Sequence, residues 1–526
     1  MRLTTSLLII LTCTLSAPAQ DGNTTISTID DYNGWGWQSI VMKNDLITVA
    51  TTPVIGARIT QYDLGEHSSI FMNPSLFGKT FTISKTWHNY GGYKVWPAPQ
   101  DRWGWPPPPR IDFGEYSAEI TAQTADSVAL FVSGPEEKQT TPGLSMERRT
   151  VIYKGTSRLK VEQSIVNEGS SSQSWSVWDV TQSIVHHEGE KDYENFWVYF
   201  PINPDSKFGD DGVRWSKSSG AWKGEVAPGI YGVEFKPEGK KIFADSHKGW
   251  ICYADEREDM IYAKVFKIWD GADYPDQGAR VEVWISSNPL YLEVEVVSPI
   301  WDIEPDGGKI TFVEDWYAAK VAGPTELTPI LNVNHIGATA KHLSYDVESN
   351  TLTGLFGVFH VGTARLVAVD AETKVVAEGK DHDVTPTATF ELNENIELPE
   401  SASHVKIVVS NDDGEIGVLA SGSVEALTSV EANRQTPADF ELQQNYPNPF
   451  NPSTNIAFRI PQDQHVNLSV IDVSGRKVAT LVDRRVSSGS HQVTWNAAGQ
   501  PAGVYFVRLL GENSQRVMTK KMALVK

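Results

Sequence analysis

The sequence predicts an all-β chain: one large β-sandwich followed by two small immunoglobulin-like β-sandwiches. Runs rich in β-branched and aromatic residues succeed one another at 41–51, 129–133, 150–153, 159–166, 197–200, 261–268, 279–285 and 291–297, mostly bounded by Gly, Pro, Asn or Asp. No window of a dozen residues carries an apolar repeat of 3.6. The length of 526 residues accommodates roughly three domains. The first, over 20–324, is long enough to require two large opposed sheets.

The chain opens with the features of a secretory signal peptide over residues 1–19: Arg2, an apolar run from Leu7 to Leu11, and Ala17-Pro18-Ala19 before Gln20. Thr12 is a poor neighbour for a lipoprotein cysteine at Cys13. No later stretch is apolar for about 18 residues, so no membrane span is expected. With the signal removed, Cys252 is the only cysteine. It can form no intrachain disulfide and is expected to act as a small buried hydrophobe.

Tryptophan and charge mark the modules. Sixteen of the 17 Trp lie between Trp35 and Trp316, and none falls in 329–436. Residues 323–329 (GPTELTP) precede a second set of strands, read as an accessory sandwich over 325–428. In it Asp412-Asp413-Gly414 reads as a hairpin turn. A polar linker follows at 429–438. The sign of the charge then reverses: 329–436 hold six Lys/Arg against sixteen Asp/Glu, and 437–526 hold ten against six.

In the last module, 439–526, Asn448-Pro449 and Asn451-Pro452 force extended and turn backbone before a series of alternating strands. The run NYPNPFNPST, the VSGRKV turn, PAGVYFVRL and the basic terminal strand resemble the C-terminal sorting domain of type IX secretion cargo. That resemblance implies a small β-sandwich, type IX secretion machinery as a partner, and delivery to the cell surface or beyond. Nucleic acid is not an expected partner, because the net charge of −21 opposes phosphate binding.

Chemistry is expected in the first module. The segment from Trp87 to Asp112 interleaves His88, Tyr93, Trp96, Gln100, Trp103, Trp105, Arg110 and Asp112 with a glycine pair and the four-proline run Pro106–Pro109. Hydrogen-bonding groups among indoles suit a polar, ring-shaped ligand. In 291–297, period-2 alternation places Glu293 and Glu295 on one face, where mutual repulsion and burial would raise at least one pKa.

IGARIT, which contains Arg58, resembles an early strand of galactose-mutarotase-like domains. HNYGGYKVWPAP is similar to a segment of the hexose-phosphate epimerase branch, and YLEVEVVSP with EPDGGKITFVEDWY to the family's closing strands. The resemblance implies a β-supersandwich that binds sugars, with Glu293 as general base and Glu295 as the fallback. The family's general-acid histidine has no counterpart in VWDVT, which holds Trp178 and Asp179, so simple aldose 1-epimerase activity is the less favoured alternative. Export favours a polymeric glycan over a free sugar. A lyase would draw a base and a cation from His88, Tyr93, Arg58 and Arg110; a hydrolase would pair Glu293 with Asp112 or Asp179. The leading expectation is an enzyme acting on an extracellular poly- or oligosaccharide, the alternatives a non-catalytic glycan-binding protein and a structural surface protein. No cofactor is expected: His186-His187-Glu188 reads as a solvated tandem, and Asp210-Asp211 could hold calcium but lies in no recognised loop.

Overall fold

The computed structural model describes residues 23–187, 193, 195–209, 211–216, 224–321, 329–428, 441–442, 445, 447–460, 464–473, 476–486, 489–511 and 517–525. The expected signal segment and the linker 429–438 lie outside them. The described chain is nearly all β, with two five-residue helices at Pro109–Phe113 and Val424–Thr428. It divides into two compact units, residues 1–343 with 350–422, and 344–349 with 423–526.

The first unit is dominated by two large antiparallel sheets. The first runs, in spatial order, through Thr25–Ile29, Ser39–Lys43, Ile47–Thr52, Arg58–Leu64, Tyr93–Ala98, Gln173–Ser183, Leu290–Val297, Val281–Ser287, Lys240–Ala244 and Val213–Trp215. The second runs through Glu225–Ala227, Ile230–Glu234, Phe196–Pro201, Trp250–Asp255, Met260–Phe266, Gly308–Lys320, Leu159–Asn167, Leu144–Tyr153, Ser127–Ser133 and Ser117–Gln123. Alternate residues of both sheets fill the layer between them. Leu292, Val294 and Val296 of the first sheet join Ile251, Tyr253, Tyr262 and Trp316 of the second in one apolar core. Each fully buried aliphatic side chain there contributes about 1.5–3 kcal/mol.

The accessory sandwich packs a sheet of Asn332–Val333, Gly337–Asp346, Thr351–Val358 and Thr389–Asn395 with one of Val375–Val384, Gly362–Val369, His404–Asn411 and Gly414–Ser423. It is welded to the far face of the second large sheet. Trp197, Trp250, Cys252 and Tyr317 share an apolar cluster with Ile330, Val333 and Phe359. Tyr317 stacks on Phe359 with ring centroids 4.6 Å apart, and Thr156 Oγ1 donates to the Phe359 carbonyl at 2.8 Å. Covered on both faces, Trp250–Asp255 is buried at every position, which explains a continuous apolar run where a one-sided strand would alternate. Cys252 is a packing element of this joint, and burial raises its thiol pKa.

In the second unit, one sheet joins Glu441–Leu442, Ser453–Ile460 and Gly489–Asn496, and the other Lys477–Val486, Gln464–Asp472, Gly503–Gly511 and Val517–Leu524. Tyr505, Val507 and Leu509 alternate into a core with Phe450, Trp495 and Met522. The prolines of the NYPNPFNP run donate no backbone N–H, and asparagine side chains supply bonds instead. Asn448 Oδ1 accepts from Ala523 N at 2.8 Å, and its Nδ2 donates to the Lys521 carbonyl at 3.1 Å.

Candidate functional site

The outward face of the first large sheet carries a pocket of about 450 Å³. Its floor follows from strand register. Trp96 pairs with Trp178, Trp178 with Val297, Glu293 with Trp284, and Trp284 with Lys241. Directly paired residues share a face, so five neighbouring strands deliver three indoles, a carboxylate and an ammonium to one place. Trp87, Gln100 and Trp105 come from the loops on either side of strand Tyr93–Ala98, and Ser286, Ser287, Asn288 and Tyr291 complete the lining.

The indoles are held from behind. Trp96 sits edge-on to Trp178 at 5.2 Å and to Trp105 at 6.3 Å, and Trp105 edge-on to Trp87 at 4.9 Å. Asp112 Oδ1 accepts from Trp96 Nε1 at 2.9 Å and from Arg58 Nη2 at 2.8 Å, with both ionic side chains buried. Gly56, at φ 79°, lets the Asp112 backbone approach so closely that any Cβ would overlap its carbonyl oxygen. Trp178 Nε1 donates to Glu295 Oε2 at 2.6 Å.

The charged groups are interlocked. Glu293 Oε1 accepts from Gln182 Nε2 at 2.8 Å and lies 3.4 Å from Lys94 Nζ; its side chain keeps 11% of its surface exposed. Lys241 Nζ lies 2.6 Å from Glu282 Oε2 and 2.8 Å from Glu295 Oε2, and 4.2 Å from the centre of the Trp178 ring. Burial pushes the Glu295 carboxyl up to about 7, with Glu293 adding to the shift and Lys241 opposing it. Burial alone would lower Lys241, but Glu282 and Glu295 hold it above the ordinary lysine range. Burial lowers Lys94, against the pull of Glu293.

The residues singled out in the sequence thus separate into groups. Glu293, Trp96, Gln100, Trp105 and Trp178 line the pocket. Glu295, Arg58 and Asp112 stand behind it, and Trp103 supports Trp178 while donating from Nε1 to the Pro97 carbonyl at 2.7 Å. Four do not reach it. Tyr93 and Asp179 point the other way, into the layer between the sheets: Tyr93 takes a hydrogen bond from Gln163, and Asp179 is paired with Lys264 at zero exposure. His88 stacks on Phe81 with centroids 3.6 Å apart. Arg110 lies in the short helix, its backbone N–H donating to Glu137 Oε2 at 2.9 Å. Trp87, Trp284, Lys241, Lys94, Gln182 and the 286–288 turn were not singled out. The alternation in VEVWISS, which sets Glu282, Trp284 and Ser286 on one face, was the available signal.

Among the described residues no group of three or more His, Cys, Asp or Glu side chains is placed to hold a metal ion. Glu188 and Asp210 lie outside them. His187 packs at one end of the sandwich, its Nε2 2.8 Å from Asp255 Oδ2.

Among known families, residues 444–525 match the secretion system C-terminal sorting domain. The tail is a sorting domain. It marks the chain for secretion to the cell surface or the outside of the cell, and no helix among the described residues is long and apolar enough to cross a membrane. No curated protein gives a match. Solved structures align with the chain at low identity. A TPR-domain containing protein from Parabacteroides distasonis is 12% identical over 57% of this chain and 50% of its own, with a TM-score of 0.38; the alignment thus spans half of that protein. A galactose mutarotase related enzyme from Lactobacillus acidophilus is 11% identical over 58% and 100%, with a TM-score of 0.35. A galactose mutarotase-like protein from Clostridium acetobutylicum is 12% identical over 57% and 100%, with a TM-score of 0.36.

Proposed function

We propose that the chain is an exported carbohydrate-binding protein that seats part of a poly- or oligosaccharide in the indole-lined pocket of its first large sheet. The observation that carries this reading is the lining itself: Trp87, Trp96, Trp105, Trp178 and Trp284 surround one cavity with Gln100, Ser286, Ser287 and Asn288 among them. Indole faces suit the C–H faces of pyranose rings, and short neutral side chains suit their hydroxyls. The sorting domain supports an extracellular ligand. The test is titration of the full chain with a panel of plant, algal and bacterial polysaccharide fragments, followed by indole fluorescence. Saturable quenching by at least one glycan is expected, weakened about tenfold or more in Trp284→Ala. Absence of saturable binding across the panel would remove the reading.

A second reading, acid–base catalysis on the same glycan, is favoured by Glu293. Its carboxylate faces the pocket and is oriented by Gln182 and Lys94. Glu293 is the only carboxylate among the described lining residues, an arrangement better suited to a single proton abstraction than to hydrolysis by two opposed carboxylates. Turnover is measured as new reducing ends or as faster interconversion of the reducing-end anomers. Glu293→Gln should abolish turnover while leaving affinity within about threefold; equal turnover in wild type and variant would exclude Glu293 as the base.

A further inference from the structure

The pocket's electrostatics define the class of sugar it takes. Lys241 is the only cation among the described lining residues, and it already contacts two carboxylates, Glu282 and Glu295. Behind the lining, Lys94 faces Glu293 and Arg58 is bound to Asp112. Each of these three cations therefore has a carboxylate at contact distance, and Glu293 presents its own negative charge to the cavity. A sugar carboxylate or sulfate entering this space would leave water for a wall of indoles, where an anion needs a paired cation. Among the described lining residues it would find only Lys241, already in contact with two carboxylates. The other polar groups on the wall, among them Gln100, Ser287 and Asn288, are hydroxyls and amides, which bind hydroxyls without a net charge.

Resting on the carbohydrate reading of the pocket, we infer that the site selects uncharged glycans and rejects uronates and sulfated sugars. Cleavage of a polyuronate by β-elimination, which requires a cation to stabilise the uronate carboxylate during proton abstraction at its α-carbon, is accordingly not the chemistry of this site. The charge balance also says how to reverse the preference: removing a carboxylate from Lys241 leaves an ammonium with spare capacity at the pocket wall.

The experiment compares two matched sets of probes on the full chain by calorimetry and indole fluorescence. The neutral set is cellohexaose, laminarihexaose and mannohexaose. The acidic set is hexagalacturonate, hexamannuronate and a sulfated galactan hexamer. Wild type is expected to bind a neutral hexamer and to bind acidic hexamers at least tenfold more weakly. Glu295→Gln, and separately Glu282→Gln, should narrow that gap about tenfold, with the gained affinity for acidic hexamers lost as salt rises from 20 to 500 mM. Acidic hexamers binding wild type as tightly as neutral ones would overturn the inference and leave the carbohydrate reading standing. Failure of both sets to bind would overturn the two together. A gain with neither variant, while both stay folded by circular dichroism, would also count against it.

Discussion

The two faces of the first large sheet solve the same electrostatic problem in opposite ways. On the inner face Asp179 is paired with Lys264, which also donates to the Val294 carbonyl at 2.8 Å, and neither side chain has any exposure. Burial and the neighbouring Asp179 hold the Glu314 carboxyl well above its usual range, and Trp316 Nε1 donates to Glu314 Oε2 at 2.8 Å. On the outer face, one residue along from Asp179 at Trp178 and on the neighbouring strands, a comparable set of lysines and glutamates meets the same kinds of indole but opens into a cavity. A buried charge network is thus no mark of a site by itself. Access is what separates the two, and access depends on what covers each face: the second sheet on the inside, and loops with a gap between them on the outside.

The sharpest way to break the comparison is at Lys264. Replacing it with methionine leaves Asp179 ionic and unpaired in the core, which costs about 3–5 kcal/mol. Urea denaturation should register the loss, and glycan affinity of the fraction that remains folded should be unchanged. A pocket that lost affinity in step with stability would mean that the two faces are one functional network.

This division explains what could be read beforehand. The all-β class, the succession of strands and the sorting tail follow from local pattern, and Glu293 and Glu295 were correctly placed on one face by period-2 alternation. The same rule already separates Trp178 from Asp179, which are adjacent and must point to opposite faces, and Trp96 from Tyr93, three residues apart. Both members of each pair were nonetheless expected at one site. Parity is legible in a strand, but which parity faces the pocket is decided by pairing across long stretches, such as Gln182 with Glu293 and Lys241 with Trp284. Lys241, the hub of the outer network, carries no local signal. His88 sits in a loop, where alternation has no force.

A smaller effect separates the faces by pH. The folded-state pKa of Glu295, about 7, lies above the ordinary carboxylate value, so between about pH 4.5 and 7 the folded chain binds more protons at this position than the unfolded chain. Its contribution to stability is complete below that window and is lost as pH rises through it. Glutamine mimics the protonated form at every pH. Glu295→Gln should therefore match wild type near pH 4.5 and exceed it above pH 7 by up to about 3 kcal/mol, measured as the difference in urea-unfolding free energy. A difference independent of pH would show that Glu295 stays ionised against Lys241 throughout.

The smallest expected change in stability belongs to Trp105, and it isolates the property that the inner face lacks. Trp105 is 57% exposed, touches Trp87 and Trp96 only edge-on, and belongs to no apolar core. Truncating it to alanine should move the unfolding free energy by no more than about 0.5 kcal/mol. Trp316, of equal size but wholly buried between the sheets, should cost about 3–5 kcal/mol. In binding the order reverses. Trp105→Ala removes an aromatic wall of the cavity and should weaken glycan affinity about tenfold, whereas a folded Trp316→Phe variant should bind like wild type. An exposed indole whose loss changes neither stability nor binding would have to be explained by something other than the pocket it borders.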